Sequence, residues 1–334
     1  MKRLISIAIS LVILGVIYTK IDFPQLIAVF KECDRMWMGI SLGMVIPITL
    51  FTAWRLQQLM PTGVLVRVPV AREPRRGRTA SQLGFWEANR LILAASTLNM
   101  VLPSKMGDIA KAYFMKQRGN LTGSLSLAIV IFEKACDMLS LLLWCVFGLL
   151  LYPGKSGFFW LMTAGIIFGL ILGIFLLSSR KFADLFFLVT KKIAPKKFRS
   201  KLEKMQTSWG EMHGYFWHDP KQLFKITLTS IFIWFLHLLQ IWLFILALNA
   251  WTPFLTNLAL SPLAILAGLL PLTCAGVGTR DAALIFFYQP YFPAATAAAL
   301  GLLCTSRYLI PAIGGLPFLG QYLTTVRDLG KKPS

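Results

Sequence analysis

Two carboxylates four residues apart lie deep inside an apolar stretch of this sequence. Glu133 and Asp137 belong to the run 121–151, with Lys134 between them. Because they are four residues apart, we predict that the two carboxylates share one face of a helix. Glu133 lies roughly 18 Å into this run on a helix, close to the middle of a hydrocarbon core about 30 Å thick. A charge at that depth costs at least about 2.5 kcal/mol unless it pairs with another charge or meets water. We predict that Arg307, from a later apolar run, pairs with Glu133 or Asp137; the alternative is a static ion pair that only fixes the packing.

Two other apolar stretches are interrupted by polar, helix-breaking residues. The first break is LPSKMGD at residues 102–108, and the second is LPLTCAGVGTRD at residues 270–281. Proline removes a helical hydrogen bond, and irregular backbone at membrane depth is tolerated only where protein or water satisfies it. Each break therefore predicts a polar cavity.

Both breaks end where a helix is expected to restart, next to a cation. Helix N-termini concentrate backbone N–H groups and the positive end of the dipole, which suits a phosphate. The alternative is that Ser104 and Thr279 are ordinary N-caps and that Asp108 and Asp281 are first-turn residues favoured by the dipole. The predicted substrate-binding residues are Asn99, Ser104, Lys105, Asp108, Lys111, Glu133, Asp137, Thr279, Arg280, Asp281 and Arg307.

The composition places these residues in a membrane protein. The chain has 334 residues, of which 56% are hydrophobic, and its mean hydropathy is +0.66. A soluble domain of this length does not hide that much apolar surface. We predict an all-α polytopic membrane protein with six full spans and two opposed re-entrant helical hairpins. The predicted spans are 4–19, 38–54, 121–151, 158–178, 222–249 and 294–320, and the predicted hairpins are 86–118 and 256–290.

The order of these elements predicts an inverted repeat. The first half, residues 1–151, reads span, span, hairpin, span, and the second half, residues 152–334, repeats that order from the opposite side. Inverted halves built around broken helices are a recurring plan of transporters, with the substrate site at the repeat interface.

The charge is strongly basic, with 34 Lys and Arg against 14 Asp and Glu. The basic residues fall between apolar runs and mostly on one face, so the positive-inside rule predicts that this face, with both termini, is cytoplasmic. We expect a protein of the bacterial inner membrane. Nucleic acid is not an expected partner. The basic segments 55–85 and 180–221 are expected to orient the chain and to contact an anionic membrane surface. The five cysteines are scattered and no metal-ligand spacing occurs, so no cofactor and no metal are expected.

The motifs around the breaks resemble a known family, the transmembrane domain of lysylphosphatidylglycerol synthetases, also described as flippase-like. In fused members, a cytosolic domain attaches lysine from charged tRNA to phosphatidylglycerol, and the membrane domain is thought to move the product. Because the chain ends soon after its last predicted span, we expect a standalone member without the synthase domain. Ser104 follows Leu-Pro where the family pattern often has a small residue or glycine. The residues that carry the resemblance are Asn99, Leu102, Pro103, Gly107, Asp108, Lys111, Ala112 and Tyr113, then IFEKACD at 131–137 and LPLTCAGVGTRDAA at 270–283.

The resemblance implies a translocase for a phospholipid or a polyprenyl-phosphate lipid. Two alternatives remain open. One is a non-catalytic membrane partner of a separate synthase or glycosyltransferase. The other is a membrane-embedded lipid-phosphate transferase with Asp108 or Glu133 as its base.

Overall fold

The computed structural model describes residues 23–60, 83–101, 106–118, 123–152, 154, 157–269 and 278–320. All regular structure within these ranges is helical, so the all-α expectation is confirmed for the part of the chain that is described. The α-helices are α1 (Phe23–Lys31), α2 (Arg35–Gly43), α3 (Val45–Leu59), α4 (Phe85–Val101), α5 (Met106–Arg118), α6 (Gly123–Leu151), α7 (Gly157–Ser178), α8 (Arg180–Ile193), α9 (Lys196–Phe216), α10 (Pro220–Ala247), α11 (Phe254–Leu269), α12 (Thr279–Tyr288) and α13 (Ala294–Gly315), followed by a 3-10 turn, Leu316–Phe318.

Five helical segments in the described ranges are long and apolar enough to cross a membrane. Each coincides with a predicted span, and the remaining predicted span, 4–19, lies outside the described residues. The side chains of α7 are mostly exposed although this helix is the most apolar of the five, which is the pattern of a helix that faces lipid. The five segments are Arg35–Leu59, Leu125–Leu151, Phe159–Ser178, Pro220–Ala247 and Ala294–Phe318.

The stretch 86–118 is not one helix but two, α4 and α5, which pack against each other. A side chain on Gly107 would collide with the carbonyl oxygen of Ala95 and with Asn99, so glycine allows the two backbones to approach closely. With 17 and 13 residues, the helices are about 25 and 20 Å long, too short to cross a 30 Å core upright. Residues 102–105, between the two helices, lie outside the described part of the chain.

The stretch 256–290 likewise forms two packed helices, α11 and α12. Gly268, near the end of α11, packs on Arg280, while Asn257 and Ser261, near its start, hydrogen-bond Tyr288 at the end of α12. The end of α11 thus contacts the start of α12, and an earlier part of α11 contacts the end of α12. The two helices are therefore antiparallel. The residues between the two helices, 270–277, lie outside the described part of the chain. That either pair is re-entrant stays a prediction.

The chain divides into two compact units, each with its own apolar core. The first unit comprises Met1–Ile48, Met138–Ile171 and Ile231–Ile310, and its core includes Tyr288, one of the largest fully buried side chains. The second comprises Thr49–Asp137, Leu172–Ser230 and Pro311–Ser334. These units do not coincide with the halves 1–151 and 152–334, and the inverted repeat stays a prediction.

The tight packing of α4 on α5 predicts opposite effects of one substitution at two helical glycines. Gly→Ala in an exposed helix interior is worth about 1 kcal/mol in favour of the helix. A methyl group on Gly165 of α7 would meet no atom within 4 Å, so Gly165→Ala should hold or raise the melting temperature. Gly107→Ala should lower it, because its Cβ would collide with Ala95 and Asn99. Equal melting temperatures in detergent would contradict this packing.

Candidate functional site: a buried charge cluster

The second unit contains a buried charge cluster, by which we mean Arg55, Lys111, Glu133, Asp137 and Ser230. Arg55 Nη2 donates to Glu133 Oε1 at 3.1 Å, and Arg55 Nη1 donates to Asp137 and, at 3.0 Å, to Ser230 Oγ. Lys111 Nζ donates to the other oxygen of Glu133. Each carboxylate oxygen of Glu133 therefore accepts a hydrogen bond from a different cation.

Four helices bring the cluster together: α3 carries Arg55, α5 carries Lys111, α6 carries both carboxylates, and α10 carries Ser230. Glu133 and Asp137 lie one helical turn apart on one face of α6, and the two nitrogen ends of one guanidinium reach both of them. The prediction that these two carboxylates share a face is confirmed.

The cluster is almost entirely withdrawn from water in the described structure. Arg55, Lys111 and Glu133 are 1%, 3% and 2% exposed, whereas the side chain of Asp137 is 24% exposed. The three deepest residues carry two positive charges and one negative charge, and Asp137 supplies the balancing negative charge at the more open side. Ion pairing at this depth offsets a desolvation cost of several kcal/mol per charge.

Two polar atoms near the cluster lack a partner among the described residues. They are Nε of Arg55 and Oδ1 of Asn99. A buried polar atom without a hydrogen bond is costly, and in a native protein it needs an explanation such as a ligand or an ion. The guanidinium of Arg55 thus keeps one donor for a further acceptor.

A second group of predicted residues lies at the rim of the cluster. Lys134 is largely exposed and its Nζ lies 3.7 Å from Asp108 Oδ1, and Asn99 Nδ2 is 3.4 Å from the same oxygen. Lys134 of α6 thus forms an ion pair with Asp108 of α5. Five of the predicted binding residues, Asn99, Asp108, Lys111, Glu133 and Asp137, come together here.

The other predicted residues that are described belong to the first unit. Arg280 is buried and its Nε and Nη2 donate to Asp281 Oδ1 at 3.2 and 3.0 Å. Nη2 of Arg280 also donates to the Gly301 carbonyl at 3.1 Å and to Thr305 Oγ1 at 2.7 Å. Arg280 therefore joins α12 to α13 through protein acceptors.

The start of α12 shows how that ion pair is positioned. Gly278 precedes the helix with a φ of 99°, in the region that favours glycine, and its N–H donates to Asp281 Oδ2 at 3.0 Å. The N-cap is therefore Gly278, and Thr279 is the first helical residue. A side chain on Gly301 would lie 2.7 Å from Asp281 Oδ1, so glycine is needed where α13 approaches this carboxylate.

The predicted partner of the α6 carboxylates was wrong. The cations on Glu133 are Arg55 and Lys111, and Arg307 instead hydrogen-bonds the ring of His237 within the first unit. The prediction rests on similar spacings in the two predicted halves, 25 residues from Asp108 to Glu133 and 26 from Asp281 to Arg307. Such spacings carry no information about which cation reaches a carboxylate. Ser104 and Lys105 lie outside the described residues.

Sequence reasoning missed Arg55, because it assigns the basic segment 55–85 to a cytoplasmic loop. The predicted span ends at residue 54, before the first charge, but the helix continues to Leu59 and buries Arg55. One signal could have found it. Two carboxylates one turn apart at membrane depth require a cation, and Arg55 directly follows an apolar run.

A comparison with protein families decides the class of the chain. The family described as the lysylphosphatidylglycerol synthase TM region matches residues 3–315. The chain belongs to this family. It is thus a multi-pass membrane protein, and the resemblance seen at the two breaks is confirmed. No curated protein and no solved structure matches the chain.

The charge cluster predicts that substitutions at two neighbouring residues of α6 change the free energy of unfolding by very different amounts. Glu133→Gln leaves the buried cations Arg55 and Lys111 without their shared carboxylate and should lower the free energy of unfolding by about 3–5 kcal/mol. Lys134→Gln, one residue away and largely exposed, should cost about 1 kcal/mol or less. Unfolding of both purified variants in one detergent measures the difference. Equal stabilities would show that the pairing does not hold the helices together.

Proposed function

We propose that this protein is a lipid translocase that moves a phosphate-containing lipid, a phospholipid or a polyprenyl-phosphate lipid, between leaflets. The observation that carries the proposal is the buried charge cluster, and above all the guanidinium of Arg55, whose Nε has no partner among the described residues. Replacement of a buried ion pair by apolar side chains of similar volume is often neutral or stabilising, so packing alone does not require these charges. Membership of the lysylphosphatidylglycerol synthase TM region family supports the same interpretation.

The geometry supports a specific exchange at Arg55. Guanidinium groups bind phosphate as well as carboxylate through two parallel hydrogen bonds. Of the two carboxylates on Arg55, Asp137 is the more exposed, so a phosphate can replace it at the lowest desolvation cost. The phosphate would take the Nη1 donor from Asp137 together with the N–H of Nη2 that runs parallel to it, while Glu133 keeps the other N–H of Nη2 and Lys111.

The cluster would then bind the headgroup transiently during transport, while the acyl chains stay in the bilayer. Lys111 and Glu133 would hold Arg55 in place, and Asp108, Asn99 and Lys134 would form the polar rim by which the phosphate arrives or leaves. Because Glu133 stays on Nη2 and Asp137 returns to Nη1 when the lipid departs, neither end of the guanidinium would be left buried without an anion.

The finer membrane arrangement is part of the same proposal. We place the protein in a bacterial inner membrane with both termini cytoplasmic, because most basic residues fall on one predicted face. The two packed helix pairs, α4–α5 and α11–α12, would be re-entrant hairpins of an inverted repeat. Thr279, Arg280 and Asp281 would contribute the second helix terminus of the transport path, with Arg307 and Lys105 as further cations.

Transport by the purified chain in proteoliposomes tests the proposal. The rate at which a fluorescent phospholipid moves between leaflets should fall at least tenfold in Arg55→Gln, because the phosphate loses its bidentate partner (about 1.4 kcal/mol per tenfold change). Arg55→Lys keeps the positive charge but loses the paired donors of the guanidinium. Its transport rate should therefore lie between those of the original chain and Arg55→Gln. Lys225→Gln, at an exposed position of α10, is the matched control and should transport at the original rate.

Two results would contradict the proposal. One is an Arg55→Gln variant with a normal melting temperature and an unchanged rate, which would leave the cluster as a packing device. The other is no transport by the original chain above protein-free vesicles. Co-purification of a synthase or glycosyltransferase with such an inactive chain would favour the partner role instead.

A further inference from the structure

Outside the charge cluster, α8 and α9 form a paired element on the second unit. Gln206 of α9 links two side chains of α8: it accepts from Lys191 Nζ at 2.7 Å and donates to Asp184 Oδ1 at 2.8 Å. Phe187 of α8, which is buried, packs edge-on against Trp209 of α9 with ring centroids 6.2 Å apart. The two helices therefore hold a fixed relation to each other.

The same element is attached to the end of the lipid-facing helix α7. The last carbonyl groups of a helix have no partner within the helix. Here Trp209 Nε1 donates to the Leu176 carbonyl and Trp217 Nε1 to the Leu177 carbonyl, each at 2.9 Å. His213 Nε2 lies 3.1 Å from the Ser178 carbonyl, where it must donate. Side chains at the end of α9 thus cap α7, and α8 starts where that apolar helix ends.

A basic groove opens between α8 and α9. Its volume is about 430 Å³. Lys192 and Arg199 are exposed beside it, and Glu203 is the one acidic residue in its lining. In the sequence, the surrounding segment 191–204 carries seven Lys and Arg and this single acid. The residues that line the groove are Leu188, Lys191, Lys192, Arg199, Glu203 and Gln206.

Exposed apolar side chains lie on the same helix as the basic ones. Leu185, Leu188, Val189 and Ile193 of α8 are between 45% and 80% exposed, and Phe198 at the start of α9 is 52% exposed. A helix with large exposed apolar residues and lysines beside them, starting where a membrane-crossing helix ends, has the pattern of a helix that lies in the headgroup region. Exposure of these apolar side chains to water would cost free energy, whereas a lipid surface would cover them.

We propose that the groove between α8 and α9 binds the phosphate of an anionic phospholipid in the adjacent leaflet, with the acyl chains against the exposed apolar side chains of α8. Lys192 and Arg199 would contact the phosphate, and Gln206 would orient Lys191 toward it. Charge complementarity selects this occupant, because lysine and arginine near an anionic membrane surface each strengthen binding about fivefold. This site is separate from the charge cluster and does not depend on the proposed transport.

An acidic protein segment is the other occupant that the charge would suit. The exposed apolar side chains that adjoin the groove favour the lipid, because every anionic phospholipid brings acyl chains that cover them. The position of α8 directly after the lipid-facing α7 is that of a helix at the bilayer surface, within reach of lipid headgroups.

Lipid binding to the full-length purified protein tests the proposal. Native mass spectrometry with added phosphatidylglycerol should give an apparent affinity at least tenfold lower for the double variant Lys192→Gln, Arg199→Gln than for the original chain, since two charges near the phosphate are lost. The control Lys221→Gln, Lys225→Gln removes the same charge from exposed positions of α10 and should change it less than twofold. Phosphatidylcholine should bind the original chain more weakly than phosphatidylglycerol.

A local readout separates this site from other lipid contacts. Amide hydrogen exchange of peptides within 184–206 should be slower in phosphatidylglycerol nanodiscs than in phosphatidylcholine nanodiscs, and the double variant should abolish that difference. Phospholipid transport by the double variant in neutral vesicles should be unchanged. The proposal is overturned if the double variant binds phosphatidylglycerol like the original chain, or if protection of this segment requires an added acidic protein.

Discussion

The fold of the second unit depends on the requirement that no charge at membrane depth stays without an opposite charge. Glu133 lies on the long apolar helix α6, and the protein meets the cost by bringing Arg55 and Lys111 to it from two other helices. Because the pairs join α3, α5 and α6, the positions of these helices are set by electrostatics as well as by apolar packing. An apolar core could pack in several registers, whereas a guanidinium between two carboxylates one turn apart fits one.

The broken helix pair places one of these cations. Gly107 brings α5 against α4, and Lys111 lies one turn further along α5, where it reaches Glu133. Gly107, at this close backbone contact, thus positions the start of α5. The position of α5 in turn places the charge of Lys111. The first unit also contains a buried ion pair, but in a different arrangement. Arg280 and Asp281 are neighbours at the start of α12, and Gly301 leaves room for their ion pair beside α13.

The sequence predicts the helical class, the apolar spans and the shared face of Glu133 and Asp137 because these follow from length, hydropathy and a 3.6-residue period. It does not predict the partner of the carboxylates. Arg55 follows an apolar run and has the local pattern of a loop charge that orients the chain, so only the three-dimensional packing of α3 against α6 shows that it is buried. Lys111, four positions after Gly107, is one of the predicted binding residues and is found on Glu133; that it binds a substrate stays a prediction.

The central claim is that Asp137 and a lipid phosphate compete for Arg55. Titration of the purified protein with a soluble short-chain phosphatidylglycerol, followed by calorimetry, tests it most directly. Removal of the competing carboxylate in Asp137→Asn should tighten binding, and the addition of Arg55→Gln to that variant should abolish the gain. Binding that is equally strong in the original chain, in Asp137→Asn and in the double variant would contradict the account.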